Sequence, residues 1–260
     1  MKHFKFLLVI SFFATALISS TGCTDSKAKQ AADSIVANMV RVDGGTFKMG
    51  TNEYDYEYQM DRGPVHNVTV STFYICKYEV TQQEWEAIMG KNPSTFKEES
   101  PKNPVETVSW LDCQEFIKRL NELTGKKFRL PTEAEWEFAA RGGNKSKGYK
   151  FAGNDDAYEV GCVCTNYEQA TQEVGLLPPN ELGLYDMTGN VIELCSDVYG
   201  PYSDKDQINP KGAADTTVYR VGRGGGWCNA SRNCTVTHRQ KVAKHEYANG
   251  VGLRLVMDAK

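Results

Sequence analysis

A segment near the C-terminus brings three consecutive glycines, a tryptophan and two cysteines together. It reads Arg223-Gly224-Gly225-Gly226-Trp227-Cys228-Asn229-Ala230-Ser231-Arg232-Asn233-Cys234. Consecutive glycines reach backbone conformations that other residues avoid, and they let neighbouring chain approach closely. The thiols of Cys228 and Cys234 can share a ligand, form a disulfide or lie in separate pockets. Which of these arrangements holds determines whether the segment performs chemistry.

The sequence around this segment favours an irregular α+β domain that is rich in turns. The chain has 23 glycines and 9 prolines and few long periodic runs. Short strands are predicted over residues 65–70 and 73–78 from their alternating apolar content. Residues 142–222 are predicted to be mostly loop, and such a long loop region usually needs a metal ion or a ligand to order it.

Three helices are predicted from capping residues and from apolar residues at helical spacing. Their N-caps are Thr81, Ser109 and Thr132, and they end at Gly90, Gly125 and Gly142. A threonine or serine accepts a hydrogen bond from the first turn, and a glycine just past the last turn takes up the left-handed conformation there.

The first 22 residues have the features of a bacterial export signal. The apolar run over residues 6–18 is too short to span a bilayer. Ser20-Thr21-Gly22-Cys23 follows it, and small residues ending in a cysteine resemble the lipobox of lipoproteins. We expect residues 1–22 to be a lipoprotein signal peptide and Cys23 to carry the lipid. The alternative is plain secretion with Cys23 as an ordinary thiol.

The remainder divides into a short tether and one domain. Residues 23–38 are polar and alanine-rich and are predicted to form a flexible tether between the lipid and the globular domain. Residues 39–260 contain nothing that resembles a linker or a repeat, so they are predicted to form a single domain. Thr24, rather than aspartate, follows Cys23, which favours the outer membrane over the inner one.

Charge and cysteine content exclude several functions. Without residues 1–22 the chain has 28 basic and 33 acidic side chains, a net charge of −5, which argues against a nucleic-acid partner. Seven cysteines remain after Cys23, so some pairing and at least one free thiol are expected outside the cytoplasm. No Cys-x-x-Cys or His-x-x-x-His pattern indicates a zinc site.

Several motifs in a fixed order carry a family resemblance. They are Val42-Asp43-Gly44-Gly45-Thr46-Phe47-Lys48-Met49-Gly50, Glu79-Val80-Thr81, Asn103-Pro104-Val105-Glu106-Thr107-Val108-Ser109-Trp110, Arg129-Leu130-Pro131-Thr132-Glu133-Ala134-Glu135-Trp136-Glu137, Asn180-Glu181-Leu182-Gly183-Leu184-Tyr185-Asp186-Met187-Thr188-Gly189-Asn190-Val191, the segment 223–234, and Gly252-Leu253-Arg254-Leu255. Residues 40–257 thereby resemble the formylglycine-generating enzyme (sulfatase-modifying factor) family. The resemblance implies a loop-rich, C-type-lectin-like fold.

The family's best-known members are copper-dependent oxidases that convert a peptide cysteine to formylglycine. Two thiolates bind copper(I) in these enzymes, and soft sulfur ligands suit that ion. Cys228 and Cys234 are the candidates here. The chain departs from the enzymes at three places, however: Gly226 replaces a serine, Ile192 replaces a tryptophan, and Cys228 lies one residue before the first cysteine position. These departures argue against oxidase chemistry, and structural roles for the two cysteines are the main alternative.

The resemblance also implies a structural calcium ion. Asp186, Gly189, Val191 and Glu193 match the positions where the family binds calcium through two carboxylates and two backbone carbonyls, and calcium prefers such oxygen ligands. The alternative is that Asp186 caps a turn while Glu193 pairs with a nearby arginine.

Two functions from different classes remain open. The first is a lipid-anchored, non-catalytic scaffold that binds a protein or a glycan of the cell envelope. The second is a copper-dependent oxidase with a rearranged cysteine pair that matures a sulfatase or a similar exported protein.

Overall fold

A computed structural model describes residues 18–53, 57–164, 169–214 and 216–259. The helices are α1 (Ile18–Ala37), α2 (Gln82–Met89), α3 (Trp110–Thr124), α4 (Glu133–Ala140) and α5 (Ala157–Val160). The strands are β1 (Met39–Val42), β2 (Gly45–Met49), β3 (His66–Val70), β4 (Phe73–Cys76), β5 (Phe128–Arg129), β6 (Ile192–Val198), β7 (Gln207–Ile208), β8 (Tyr219–Arg223), β9 (Arg239–Ala243), β10 (Val251–Gly252) and β11 (Val256–Asp258).

The strands of the described residues form three small sheets. One sheet has the order β1-β4-β11-β5 and is antiparallel throughout. A second has the order β10-β6-β8-β9, in which β10 runs parallel to β6 while the other neighbours are antiparallel. The third pairs β3 with β2 and with β7. The C-terminal strand β11 lies between β4 and β5, so the two ends of the domain meet in one sheet.

The three helices predicted from capping signals are confirmed. The side chains of Thr81, Ser109 and Thr132 each accept a hydrogen bond from the third helical N–H, and an acidic residue completes each capping box. Gly90 and Gly125 cap α2 and α3 in the left-handed conformation, with φ of 81° and 65°. These signals are local, which is why the sequence alone shows them.

The two predicted strands are confirmed, but the other nine strands of the described residues are missing from the prediction. Residues 65–70 and 73–78 correspond to β3 and β4, and β4 already ends at Cys76. Among the missed strands, β6 lies in the middle of its sheet and inside the predicted loop region. Its burial is almost continuous, and Glu193 and Asp197 interrupt its apolar run. Because the partners of these acids come from distant parts of the chain, the sequence pattern did not indicate a buried strand.

The predicted flexible tether is wrong for most of its length. Residues 23–37 belong to α1, and this helix packs against α2 and α3. Ala32 is 0% exposed and Ile35 is 2% exposed, while Ala31 and Val36 pack at the edge of the same core. The physical reason is the spacing of these four small and apolar residues, which gives the helix one buried stripe.

Two large hydrophobic cores and one smaller apolar cluster stabilise the domain. The core under α1, α2 and α3 contains Trp85 stacked on Phe116, with ring centroids 4.8 Å apart. The core between α4 and the sheets contains Trp136, which is 0% exposed. None of the described helices combines the length and the apolar character needed to cross a membrane.

Candidate functional site

The signature segment, residues 223–234, leaves the end of β8 and folds back on itself. Gly224 and Gly225 have φ of 86° and 72°, a conformation that strongly favours glycine. A Cβ atom at Gly225 would lie 2.4 Å from the Sγ atom of Cys234, and one at Gly224 would lie 3.1 Å from the Trp136 ring. The first two glycines are therefore needed for packing.

Cys234 is buried in an apolar cluster. It is 0% exposed and packs with Phe151, Ala157, Val160 and Val163. Burial raises the pKa of its thiol to about 12, with smaller contributions from neighbouring cysteines. Since the thiolate is the form that binds metals and attacks substrates, Cys234 as placed here behaves as a small apolar side chain.

Cys228 lies in a different environment. It is exposed and belongs to a turn in which the Asn229 N–H donates to the Gly226 carbonyl at 2.9 Å. Partial burial raises the pKa of its thiol, and the nearby Cys164 adds to the effect. The segment thus presents one thiol to solvent and one to the interior, and Cys228 is still near enough for its charge to contribute to the raised pKa of Cys234.

The positions of the family's serine and tryptophan are apolar here. Ile192 is 5% exposed and belongs to the core that contains Val251 and Leu253. Its Cγ1 atom would lie 3.7 Å from a Cβ atom at Gly226. No hydroxyl or indole N–H is supplied at these two positions, so they provide no polar group for an oxygen-binding pocket.

Sequence reasoning missed two further cysteines near the segment. The Cys164 N–H donates to the Asn229 carbonyl at 2.9 Å, and Cys162 contributes to the raised pKa of Cys234. The sequence does not indicate this contact, because Cys164 lies 64 positions before Cys228. Across the part of the chain that the structure describes, all cysteines with described side chains are free, and no group of three His, Cys, Asp or Glu side chains is arranged to hold a metal ion.

Asp186 and Glu193, the two carboxylates predicted to bind calcium, lie in a buried acidic cluster, and Gly189 and Val191 are also buried. Both carboxylate oxygens of Glu193 accept hydrogen bonds from Arg254, at 2.7–3.0 Å, and Oε2 also accepts one from the Trp136 indole at 2.7 Å. Asp186 accepts a hydrogen bond from the Gly175 N–H at 2.7 Å. Glu193 therefore has the arginine partner of the alternative interpretation, and hydrogen bonds from Arg254 and Trp136 occupy both of its carboxylate oxygens.

Glu79 completes this cluster and was not predicted. It accepts hydrogen bonds from the Val191 N–H and from the Asn190 side chain. Burial, followed by the charge of Asp186, raises the pKa of Glu79 well above its usual value, and burial raises that of Asp186 to about 6. Three carboxylates thus face one guanidinium, that of Arg254.

Buried ion pairs join the signature segment to α4. Arg223, the last residue of β8, donates to Glu137, and both side chains are 0% exposed. Burial by itself raises the pKa of Glu137, but the charges of Arg141 and Arg223 outweigh it and hold the pKa below its ordinary value. Glu137 of α4 thus holds the end of β8 and the start of the signature segment through a buried arginine–carboxylate pair.

With this geometry in place, comparison with known proteins identifies the family. The model of the sulfatase-modifying factor enzyme 1-like domain matches residues 24–259. The chain belongs to this family. A solved structure, Treponema denticola variable protein 1, superimposes with a TM-score of 0.77 at 28% identity and covers 85% of this chain and 95% of that one. The predicted loop-rich, C-type-lectin-like α+β fold is thereby confirmed.

Relatives within the sulfatase-modifying factor family carry different names. A chaperone protein LppX of Paenibacillus barcinonensis is 30% identical and covers 98% of both chains. A formylglycine-generating enzyme of Thermomonospora curvata is 27% identical over 79% of this chain and 91% of the enzyme. An inactive Cα-formylglycine-generating enzyme 2 of Bos taurus is 28% identical over 79% of this chain and 81% of that protein. Membership in the family therefore does not decide between catalysis and binding.

Proposed function

We propose that this chain is an exported, non-catalytic member of the sulfatase-modifying factor family that binds an envelope protein during its folding or assembly. The proposal rests mainly on one observation: Cys234 is buried in an apolar cluster, whereas Cys228 is exposed on a turn. The apolar Ile192 and the bare Gly226 at the positions of the oxygen pocket support it. The relative named a chaperone, which matches over nearly the whole chain, supports a protein partner.

The competing function is a copper-dependent oxidase, and a copper(I) titration separates the two. The reduced domain, Cys228→Ser and Cys234→Ser are each titrated against a chromogenic copper(I) chelator, and oxygen uptake is followed with a cysteine peptide. We expect no tight binding and no uptake. One-to-one binding that both substitutions abolish, together with oxygen uptake, would refute the non-catalytic proposal. Cys164→Ser serves as the matched control, because it also removes an exposed thiol next to the segment.

The assembly role requires a test in cells of the source bacterium. We expect deletion of the gene to lower the amount of at least one folded envelope protein, measured by quantitative proteomics of membrane fractions. The Cys228→Ser, Cys234→Ser double variant should restore that amount, since no thiol chemistry is needed. Unchanged envelope proteins after deletion would rule out the assembly role, and a double variant that behaves like the deletion would rule out a non-catalytic mechanism.

The location belongs to the same proposal: a lipid on Cys23 anchors the protein, with the outer membrane favoured. Since Cys23 and the buried Ala32 lie on one helix, a rise of 1.5 Å per residue separates them by about 14 Å along the axis. The domain would then sit close to the bilayer. We expect the protein to incorporate labelled palmitate, and we expect Cys23→Ser to lose both the label and membrane association. Parent protein that is unlabelled and lies in the soluble fraction would contradict this proposal.

A calcium ion near Asp186 also stays a proposal. The grouping of three carboxyl groups, those of Glu79, Asp186 and Glu193, around a single arginine supports it, whereas the bonds of Glu193 to Arg254 oppose it. If the ion binds, calcium raises the melting temperature of the purified domain and Asp186→Ala removes that rise. Equal melting temperatures in calcium and in chelator would show that the cluster binds no calcium and is held by ion pairs and hydrogen bonds.

A further inference from the structure

A large groove lies on one face of the sheet β1-β4-β11-β5, away from the signature segment. Its volume is about 1340 Å³, which exceeds the roughly 300–1,000 Å³ of sites for small molecules. Its lining comes from β1, β4 and β11, from the turn before β4 and from the C-terminal ends of α1 and α3. The size of the groove suits a segment of polypeptide better than a small molecule.

The groove exists because two helices cover only part of this sheet face. Its strands place one row of residues across the sheet, in the order Arg41, Tyr74, Met257 and Phe128. Phe128 is 3% exposed and packs in the core under α3. Tyr74 and Met257 are only partly buried, and Arg41 is exposed. Both helices therefore end before they cover the rest of the row, and this part of the sheet face remains accessible.

Apolar side chains form the floor of the groove. Tyr74 and Met257 are joined there by Val36 at the end of α1 and by Met39 of β1. All four side chains are partly buried and keep some surface in contact with solvent. Contiguous apolar surface of this kind marks interaction sites in soluble proteins, and flexible methionines adapt to partners of irregular shape. The floor therefore favours a ligand with apolar side chains.

The rim of the groove is basic where α3 ends. Lys126 and Lys127 line it, and both side chains are exposed. Neither lysine forms an ion pair with another described residue. The chain as a whole has a net charge of −3, so these two unpaired cations form a local exception. A positive rim attracts an acidic partner and repels a basic one.

The other charged residues of the lining are already paired. Asp258 accepts hydrogen bonds from the guanidinium of Arg129, the one from Nε at 3.0 Å. Arg41 forms an ion pair with Asp43, which is exposed. These two pairs cancel one another in charge, so the sign of the rim is set by the two lysines after α3.

We propose that this groove binds an extended segment of a partner protein that carries both apolar and acidic side chains. The apolar side chains of the segment pack on the floor, and its carboxylates pair with Lys126 and Lys127. This inference rests on the proposed function, because it names the surface that holds the envelope protein and the chemistry of the segment that binds there.

A membrane with anionic lipids is the other partner that a basic, partly apolar groove could take. The position of the groove argues against it. Cys23, the proposed site of lipid attachment, and Val36, which lines the groove, lie on the same helix. A rise of 1.5 Å per residue separates them by about 20 Å along the axis. The groove therefore lies at the end of α1 that is remote from the proposed anchor.

The test selects short random peptides, displayed on beads, for binding to the full mature chain. The recovered peptides are synthesised with a fluorescent label, and their binding is measured by anisotropy at low and at high salt. Phosphatidylglycerol vesicles are tested in parallel by co-sedimentation. We expect the recovered peptides to be enriched in both acidic and apolar residues. Their binding should saturate and should weaken as salt is added, because salt screens exposed charges.

Two variants and a matched control locate the binding. The double variant Lys126→Glu, Lys127→Glu reverses the charge of the rim without touching the core, and it should weaken peptide binding about tenfold or more. Met257→Gln removes an apolar group from the floor and should weaken binding about fivefold. The control Lys91→Glu, Lys97→Glu makes the same change in net charge at exposed lysines that do not line the groove, and it should bind like the parent.

Three results would overturn the proposal. The first is a set of recovered peptides without acidic enrichment, or no recovered peptide at all. The second is equal binding by the rim variant and by the control. The third is binding to the vesicles, but not to peptides, that the rim variant abolishes, which would assign the groove to a lipid surface.

Failure of the groove is distinguishable from failure of the assembly role. If the peptide results are negative but deletion of the gene lowers an envelope protein, the assembly role stands and uses another surface. If deletion changes no envelope protein, the assembly role fails whatever the peptides do. The rim variant connects the two experiments, because it should fail to restore the envelope protein that the parent gene restores.

Discussion

Replacing Ile35 by alanine tests whether α1 belongs to the folded domain. Ile35 is 2% exposed and lies in the core with Trp85 and Phe116. A buried isoleucine-to-alanine change costs about 2–5 kcal/mol. Ile35 also lines a cavity of about 230 Å³, so its neighbours have room to relax and the cost should fall in the lower part of that range. We therefore expect a loss of about 2–3 kcal/mol.

For a domain of this size each 1 kcal/mol lowers the melting temperature by about 2–4 °C. The variant should therefore melt about 4–12 °C below the parent. The assay is thermal and urea unfolding of residues 24–260 without the lipid. Asp33→Ala is the matched control on the same helix, because Asp33 is exposed and forms an exposed ion pair with Lys29. An exposed pair of this kind contributes about 0.3–0.5 kcal/mol, so this control should melt within about 2 °C of the parent.

A truncated domain that starts at residue 39 gives the independent check. It removes the whole buried stripe of α1 and exposes the apolar surface under Trp85, so it should melt lower still or fail to fold. Trypsin should cut the native parent slowly within residues 26–37, because the backbone there is helical and packed. If Ile35→Ala and the truncated domain both melt like the parent, the helix is a detachable tether and the packing described above is wrong.

Three further predictions concern the interior and the thiols. Arg223→Met leaves the buried Glu137 without one of its two arginine partners and should cost about 3–5 kcal/mol in urea unfolding, whereas Arg119→Ala, at an exposed pair, should cost less than about 1 kcal/mol. Burial raises the pKa of Asp197 to about 7, so the folded state holds its proton more tightly than the unfolded chain does. Its contribution to stability is therefore greatest at low pH and is lost as the pH rises from about 4 through 7. Asp197→Asn should reduce the fall in unfolding free energy over that window. The unfolding free energy of the parent minus that of the variant should therefore decrease as the pH rises, and an increase would contradict the prediction. A maleimide reagent should label Cys164 and Cys228 rapidly in the native mature domain, while the buried cysteines should react only after unfolding.

Local signals in the sequence were sufficient for much of the fold. The capping residues of α2, α3 and α4 act within one helical turn, so each helix start could be predicted without knowledge of the tertiary structure. The order of motifs then indicated the family and its lectin-like fold. The burial of strand β6 could not be predicted in the same way, because it depends on partners far away in the chain, such as Arg254 for Glu193. For α1 the sequence does show the apolar spacing, but the surface on which Ile35 packs, near Trp85, also comes from a distant part of the chain.

The signature segment shows why a motif can predict a fold more securely than a reaction. Gly224 and Gly225 are required by the contacts that a side chain would make with Trp136 and Cys234, and these contacts exist whether or not the protein is an enzyme. The chemistry depends instead on which residues stand at positions 226 and 192 and on the position of Cys228. The same backbone can accommodate different residues at these places. A family match carried mainly by packing residues therefore establishes the architecture, and the orientation of each thiol has to come from the structure.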